Sequence, residues 1–331
     1  MTLEEFKNQM SINNEIAILE RLEEYLSYKE TDKENRFFVT GDNTFTRKAR
    51  LLQSIRRWQT GTKEGYREFK GEKTYHGNLA ENGHETGVNF LHHEIFDYVK
   101  KRISEKKPYE TIEENRMMNN FLSSQPMAFN LFYPLMKIVE CEDGQSKLAN
   151  VVNTLLHGTI KIDKVTEVGL EFIPSYYKQC LNDKTAMDAF FRFVTNVLGQ
   201  NEARNPLPAR EATQREGIKQ LFNEDALEKI KLGDIKLNQV YRNFLLTECV
   251  RIQENLDYSL SIVLAPKDNV SNKEDESKLI NILKDKYKYK FQVLTLENFV
   301  ESLIAEFPEE SIFKRFHHRY LDFRTAEYLM R

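Results

Sequence analysis

The C-terminal part of the chain constrains the fold most. LSIVLAP (260–266) is an apolar run of strand length, EDESKLINILKDK (274–286) spaces its apolar residues as a helix does, and KFQVLTL (290–296) is a second strand-length apolar run. Strand, helix, strand in that order is a βαβ unit, and its strands should be parallel. Thr295 is placed to cap a last helix over LENFVESLIAEF. The middle of the chain adds TIKIDKV (159–165), EVGLEFIP (167–174) and AMDAFFRFVT (186–195), all readable as strands. On the last of these, Phe191 and Phe193 would face one way, Arg192 and Val194 the other. These strands together with the βαβ unit predict one α/β sheet flanked by helices.

Helical spacing dominates elsewhere. Residues 1–30 keep a stripe through Ile16, Ile18, Leu19, Leu22, Tyr25 and Leu26 and end at the polar break TDKEN (31–35). Residues 44–70 hold eight basic residues against Glu64 and Glu68. Ala49, Leu52, Ile55 and Trp58 would be the buried stripe of a short helix there. Arg50 and Arg57, seven residues apart, share a face. With Arg47 that face reads either as solvated arginines snorkelling over the surface or as a contact for nucleic-acid phosphates. Residues 71–90, rich in glycine and polar groups, read as loop. Helices follow over 88–106, 111–121, from Pro126 through Phe129, Leu131, Phe132 and Leu135, over 147–157, and over 236–254. Residues 196–216 read as irregular loop. The expected organisation is a helical N-terminal region over 1–110, carrying the basic segment 44–70, and an α/β core over 111–331.

Composition excludes several classes. The 331 residues carry a net charge of -3, so the chain is not a uniformly basic nucleic-acid coat, although a local basic face is compatible. Three cysteines are too few and too scattered for a disulfide framework or zinc knuckle, and an odd number fits a reducing, cytoplasmic setting. No apolar run approaches the ~18 residues of a membrane span, and MTLEEFKNQM lacks the basic start of a signal peptide. GxxxxGK[ST], GxGxxG, GxSxG and CxxC are all absent. His92-His93-Glu94 and His317-His318 do not have the i, i+4 histidine spacing of a zincin, since neighbours on a helix point ~100° apart.

The residue of most chemical interest is Asp188, at the start of an apolar strand. It reads equally as a cap of the preceding turn and as a divalent-metal ligand at a sheet edge. Mg²⁺ takes one or two carboxylates plus water and phosphate oxygens. Glu167 and Glu171 lie on the preceding strand, four residues apart, and strand alternation predicts that they face one side. Glu171 reads either as a second ligand or as a solvent-facing residue. Ser123-Ser124-Gln125 could simply cap and link two helices. Arg242 and Asn243 on the long helix could be ordinary surface residues.

NRMMNNFLSSQPMAFNLFYPL (115–135) resembles a bacterial restriction-endonuclease-like family of the PD-(D/E)xK nuclease superfamily. The match rests on Arg116, Asn120, Ser123-Ser124-Gln125 and Asn130-Leu131-Phe132-Tyr133-Pro134-Leu135. Gly87-Val88-Asn89-Phe90-Leu91, Glu171-Phe172, Thr185-Ala186-Met187-Asp188-Ala189 and Gln239-Val240-Tyr241-Arg242-Asn243 follow in family order. The resemblance implies a mixed sheet core flanked by helices and Mg²⁺- or Mn²⁺-dependent hydrolysis of phosphodiesters in double-stranded DNA, with a homodimer as one assembly. It makes Asp188 a metal ligand with Glu171 beside it, puts Gln239 near the site, and gives Arg47, Arg50, Arg57, Gln125 and Arg242 to DNA. Glu114 is a further acidic candidate.

The chain departs from that pattern at one place. The family carries Glu-x-Lys on an apolar strand soon after the Asp, and this chain passes from AFFRFVT directly to NVLGQNEARNP. Glu202-Ala203-Arg204 offers arginine, which stays protonated and cannot act as a base. Glu216-Gly217-Ile218-Lys219 has one residue too many, so on a strand its ends would face opposite sides. Near Thr195-Asn196 the chain reads as a deletion that removes the cutting strand. The alternative to an endonuclease is therefore a nuclease-like module that binds DNA or protein without cutting.

Overall fold

The computed structural model describes residues 41–330 except 157–159, 181–185, 196–215, 233–238 and 270–272. The expected helix over 1–30 lies outside the described residues, as does most of the 196–216 segment. The chain divides into two compact units. The first comprises residues up to Asn89 with Met118–Ser123 and Asp322–Arg331; the second comprises Phe90–Met117 and Ser124–Leu321. The first unit is thus assembled from three separate segments of the chain.

In the first unit, helix α1 (Thr44–Gln59) is capped by Asn43, whose side chain accepts from the Thr46 amide at 2.8 Å. Its stripe of Leu51, Leu52 and Ile55 is buried with Ala326, and Trp58 and Phe323 cover it. Strands β1 (Glu64–Phe69) and β2 (Glu72–Ala80) form an antiparallel hairpin. The expected loop over 71–90 thus contains strand β2 over Glu72–Ala80. Its outer half is exposed and polar, so no apolar alternation marks it, and the turn needs positive φ at Lys70 (53°) and Gly71 (85°). That pair of values matches the tight two-residue hairpin turn.

The second unit contains helices α2 (His93–Ser104), α3 (Glu114–Asn119, its end shared with the first unit), α4 (Ser124–Ile138) and α5 (Glu142–Leu155). Then come β3 (Ile162–Phe172), β4 (Met187–Thr195), α6 (Glu224–Leu232), α7 (Gln239–Gln253), β5 (Ser261–Ala265), α8 (Lys273–Ile282), β6 (Phe291–Thr295), α9 (Leu296–Glu306) and α10 (Ser311–Tyr320). The helix α11 (Arg324–Leu329) returns to the first unit. The βαβ unit is present, with β5 and β6 parallel from Ser261↔Phe291 to Ala265↔Thr295. Thr295 caps α9, accepting from the Asn298 amide at 3.3 Å.

Two expectations change. The two short strands over 159–174 are one strand, β3, with register shifts between Ile162 and Lys164 and between Val165 and Glu167. These irregularities break the two-residue period and mimic a boundary in the sequence. The single sheet is also not formed: among the described residues β3 pairs only with β4, and β5 only with β6. α4 and α5 pack on β3. Phe222, Phe244, Leu279 and Phe291 build a core around α7, where Cys180 and Cys249 are disulfide-bonded. This is one bond, not the framework that the cysteine count argued against.

Asn130 of the matched α4 segment is fully buried. Its Oδ1 accepts from the Leu91 amide at 2.8 Å, and its Nδ2 donates to Tyr320 Oη at 2.8 Å. It thereby ties α4 to α10 and to the segment before α2, with both ends of its own side-chain amide satisfied.

Candidate functional site

β3 and β4 are antiparallel, with Leu170 opposite Ala189 and Phe172 opposite Met187. Position 171 therefore stands across from position 188. Strand alternation would place Glu167 on the same side as Glu171, and it does not. The shift at Val165/Glu167 interrupts the period, and Glu171 itself has φ of 47°, the left-handed region that non-glycine residues rarely adopt. Leu170 and Glu171 are consequently both buried. Glu167 stays exposed and pairs with Arg192 at 3.0 Å. Glu171, at 4% exposure, is not the solvent-facing residue that one reading expected.

Burial pushes the Glu171 carboxyl up to about 7, and the Asp188 charge adds to the rise. The Gln125 amide and the Arg102 guanidinium pull the other way. Gln125 Nε2 donates to Glu171 Oε1 at 3.4 Å and to the Thr111 carbonyl at 3.4 Å, and Gln125 Oε1 accepts from the Glu113 amide at 3.4 Å. Arg102 is in turn paired with Glu110 at 3.2 Å. Burial also raises the Asp188 carboxyl, although its side chain is accessible. A concave setting accounts for both: Asp188 lines a cavity, so its surface is open while protein displaces much of the bulk water around it.

That cavity has a volume of about 710 Å³. Every residue of β4 from Met187 to Thr195 lines it, and Asn243, Thr247 and Arg251 of α7 and Ser259 to Ile262 line it too. Among the described residues no lysine does. Raised carboxyls side by side disfavour two negative charges, and a hard divalent cation relieves exactly that cost with oxygen ligands. The donor set of Asp188 and Glu171 fits such an ion, with water completing its shell.

The remaining candidates are dispersed. Gln239, at the start of α7, is exposed and outside the cavity lining. The same helical stripe reaches the cavity one and two turns later, at Asn243 and Thr247, and this polar spacing of four was the signal that could have found them. Arg242 is half-buried on α7 and does not line the cavity. Glu114 is exposed on the first turn of α3. Glu216 and Lys219 fall in a four-residue helix, with Lys219 exposed, so they form no strand; Glu202 lies outside the described residues.

The basic face of α1 is turned inward at two of its three arginines. Arg50 pairs with Asp42 at 2.6 Å and donates to Asn78 Oδ1 at 3.2 Å. Arg57 is 3% exposed and donates to the Gly77 carbonyl at 2.6 Å and to the Thr62 carbonyl. Both are neither snorkelling nor directed at solvent. Arg47 is exposed. Exposed cations of this segment also sit on the hairpin, where Lys73 lies over Tyr66 at 4.1 Å and Lys70 over Phe69 at 5.3 Å.

A family model described as the PD-(D/E)XK nuclease superfamily matches residues 40–322. The chain belongs to the PD-(D/E)XK nuclease superfamily. The match spans both compact units and includes the β3–β4 carboxylates. No curated protein and no solved structure matches the chain. Superfamily membership makes the protein nuclease-like and gives nucleic acid as its class of partner. No helix among the described residues is long and apolar enough to cross a membrane.

Proposed function

We propose that this member of the PD-(D/E)XK superfamily is a restriction-type, double-stranded-DNA-binding protein that holds Mg²⁺ or Mn²⁺ on Asp188 and Glu171 and does not cut at an endonuclease rate. One observation carries the reading: two raised carboxylates stand opposite each other in the β3–β4 register, and no lysine among the described residues lines the cavity that Asp188 borders. The ion would supply charge neutralisation for a phosphodiester. The chain's own residues do the positioning. Gln125 holds the Glu171 carboxyl in place, while Arg102 favours its charged form from a distance. Asn243 and Thr247 present polar groups to whatever occupies the cavity. Phosphate contacts fall to exposed cations, Arg47 with Lys70 and Lys73 of the hairpin.

A second reading, an active Mg²⁺-dependent endonuclease, is favoured by superfamily membership and requires a lysine or its substitute to reach Asp188. Calorimetric titration tests the shared core of both. Mg²⁺ or Mn²⁺ should bind the natural chain, Asp188→Asn should abolish that binding, and Glu171→Gln should weaken it. Undiminished binding in Asp188→Asn would make Asp188 a turn cap, with a stability effect of roughly 1 kcal/mol or less.

A further inference from the structure

Among the described residues, β4 and β5 each present an unpaired edge, and residues of both strands line one cavity. β4 pairs with β3 alone and β5 with β6 alone among the described residues. No backbone hydrogen bond runs from the outer edge of either strand to another described residue. An open edge offers a row of amide and carbonyl groups that a further strand can pair. All nine residues of β4 line the cavity, and β5 contributes Ser261, Ile262 and Leu264. Val194 and Ile262, both in the lining, are 51% and 40% exposed. Leu131, Phe132, Leu294 and Phe299 supply apolar walls.

Charge marks one end of this cleft. Asp188 is the second residue of β4, and among the described residues no side chain hydrogen-bonds or ion-pairs with it. Glu171 stands opposite it in the register, buried behind the lining, and the described side chain that hydrogen-bonds it is neutral Gln125. The cations that do line the cleft are committed elsewhere, Arg192 to Glu167 and Glu254 and Arg251 to Glu248. An occupant that is apolar along its length and basic at one end complements these walls.

We propose that the cleft between β4 and β5 is a strand acceptor: it takes an extended segment of a partner protein that pairs by its main chain with β4, buries alternate apolar side chains, and brings a lysine or arginine to Asp188. Main-chain pairing supplies affinity and the alternate side chains supply selectivity, as in other cases of strand addition. The proposal rests on the edges, the cavity and Asp188; a divalent ion and the peptide's cation would compete for that carboxyl, so the peptides are titrated without added metal and again with Mg²⁺, which should reduce only the lysine preference.

The probes are nine-residue peptides alternating valine and threonine, with lysine at one end or the other, a matched pair with glutamate in its place, and a copy N-methylated at alternate amides. Binding is read by fluorescence anisotropy on the full chain, and amide exchange of β4 is followed with and without peptide. One lysine peptide should bind saturably, the N-methylated copy at least about tenfold more weakly, and the glutamate peptide more weakly than lysine. Asp188→Asn should erase the lysine preference. Val194→Asp, at an exposed position away from the carboxylates, should weaken all peptides while leaving Mg²⁺ titration unchanged. The β4 amides that point away from β3 should exchange fast in the free chain and slow on adding peptide. Equal binding of the N-methylated copy, binding by none of the peptides, or outward-pointing β4 amides already protected in the free chain would each overturn the proposal. Mg²⁺ and DNA binding measured on the same samples report separately on the metal reading.

Discussion

Glu171 is costly where it stands, because the fold keeps its carboxyl out of water, beside another acid, on left-handed backbone. A non-glycine residue in that region costs on the order of 1–3 kcal/mol. Its carboxyl is raised from an ordinary 4.5 to about 7. The folded chain therefore keeps this proton to higher pH than the unfolded chain. Glu171's contribution to stability is complete below pH 4.5 and is lost as pH rises through about 7, a change of about 3 kcal/mol at most. Melting temperatures across pH 4 to 8 should show this fall in the natural chain and a flatter profile in Glu171→Gln, with the variant the more stable at pH 8. Parallel profiles for the two proteins would mean that Glu171 is not the titrating group. Asp188 was legible from its place at the start of an apolar strand. The burial of Glu171 was not, because a bulge and one positive φ reverse what alternation predicts.

The β3–β4 pair that carries these acids depends on a close approach. A Cβ on Gly169 would sit 2.0 Å from Cε1 of Phe190, whose ring is 4.4 Å from that of Phe172. Phe190 cannot turn aside without losing that contact, so Gly169→Ala should destabilise by about 1–3 kcal/mol. Chemical denaturation measures it, and an unchanged midpoint would show that the ring moves freely. The βαβ unit, the α9 cap and the helices α4 and α7 were legible because long apolar periods and a capping threonine state them locally. The β1–β2 hairpin was not, because an exposed polar ribbon buries too little to impose a pattern. The two-stranded sheets of the described residues were not legible, because apolar runs mark strands but not which strands pair; the absent Glu-x-Lys strand pointed only to a missing neighbour for β4.

If the proposed DNA-binding function holds, exposed charge sets how the chain meets its phosphates. The basic segment 44–70 looked like one face, yet the structure spends Arg50 and Arg57 on internal partners and leaves exposed cations at Arg47 and on the hairpin. Replacing Lys70 and Lys73 with alanine should weaken binding to all DNA sequences alike and reduce the salt dependence. Arg57→Ala should instead cost stability, roughly 1–3 kcal/mol, by orphaning buried carbonyls. Anisotropy titrations at several salt concentrations separate the two, and unchanged binding in the double lysine variant would remove the hairpin from the interface. The proposed reading is that Asp188, with Glu171 opposite it, holds a metal ion here without the Glu-x-Lys strand that completes the superfamily pattern. Supercoiled plasmid incubated with the chain and Mg²⁺ or Mn²⁺ gives the decisive readout: no more nicking or linearisation is expected than with Asp188→Ala, and rapid cutting that disappears in Asp188→Ala would overturn the reading.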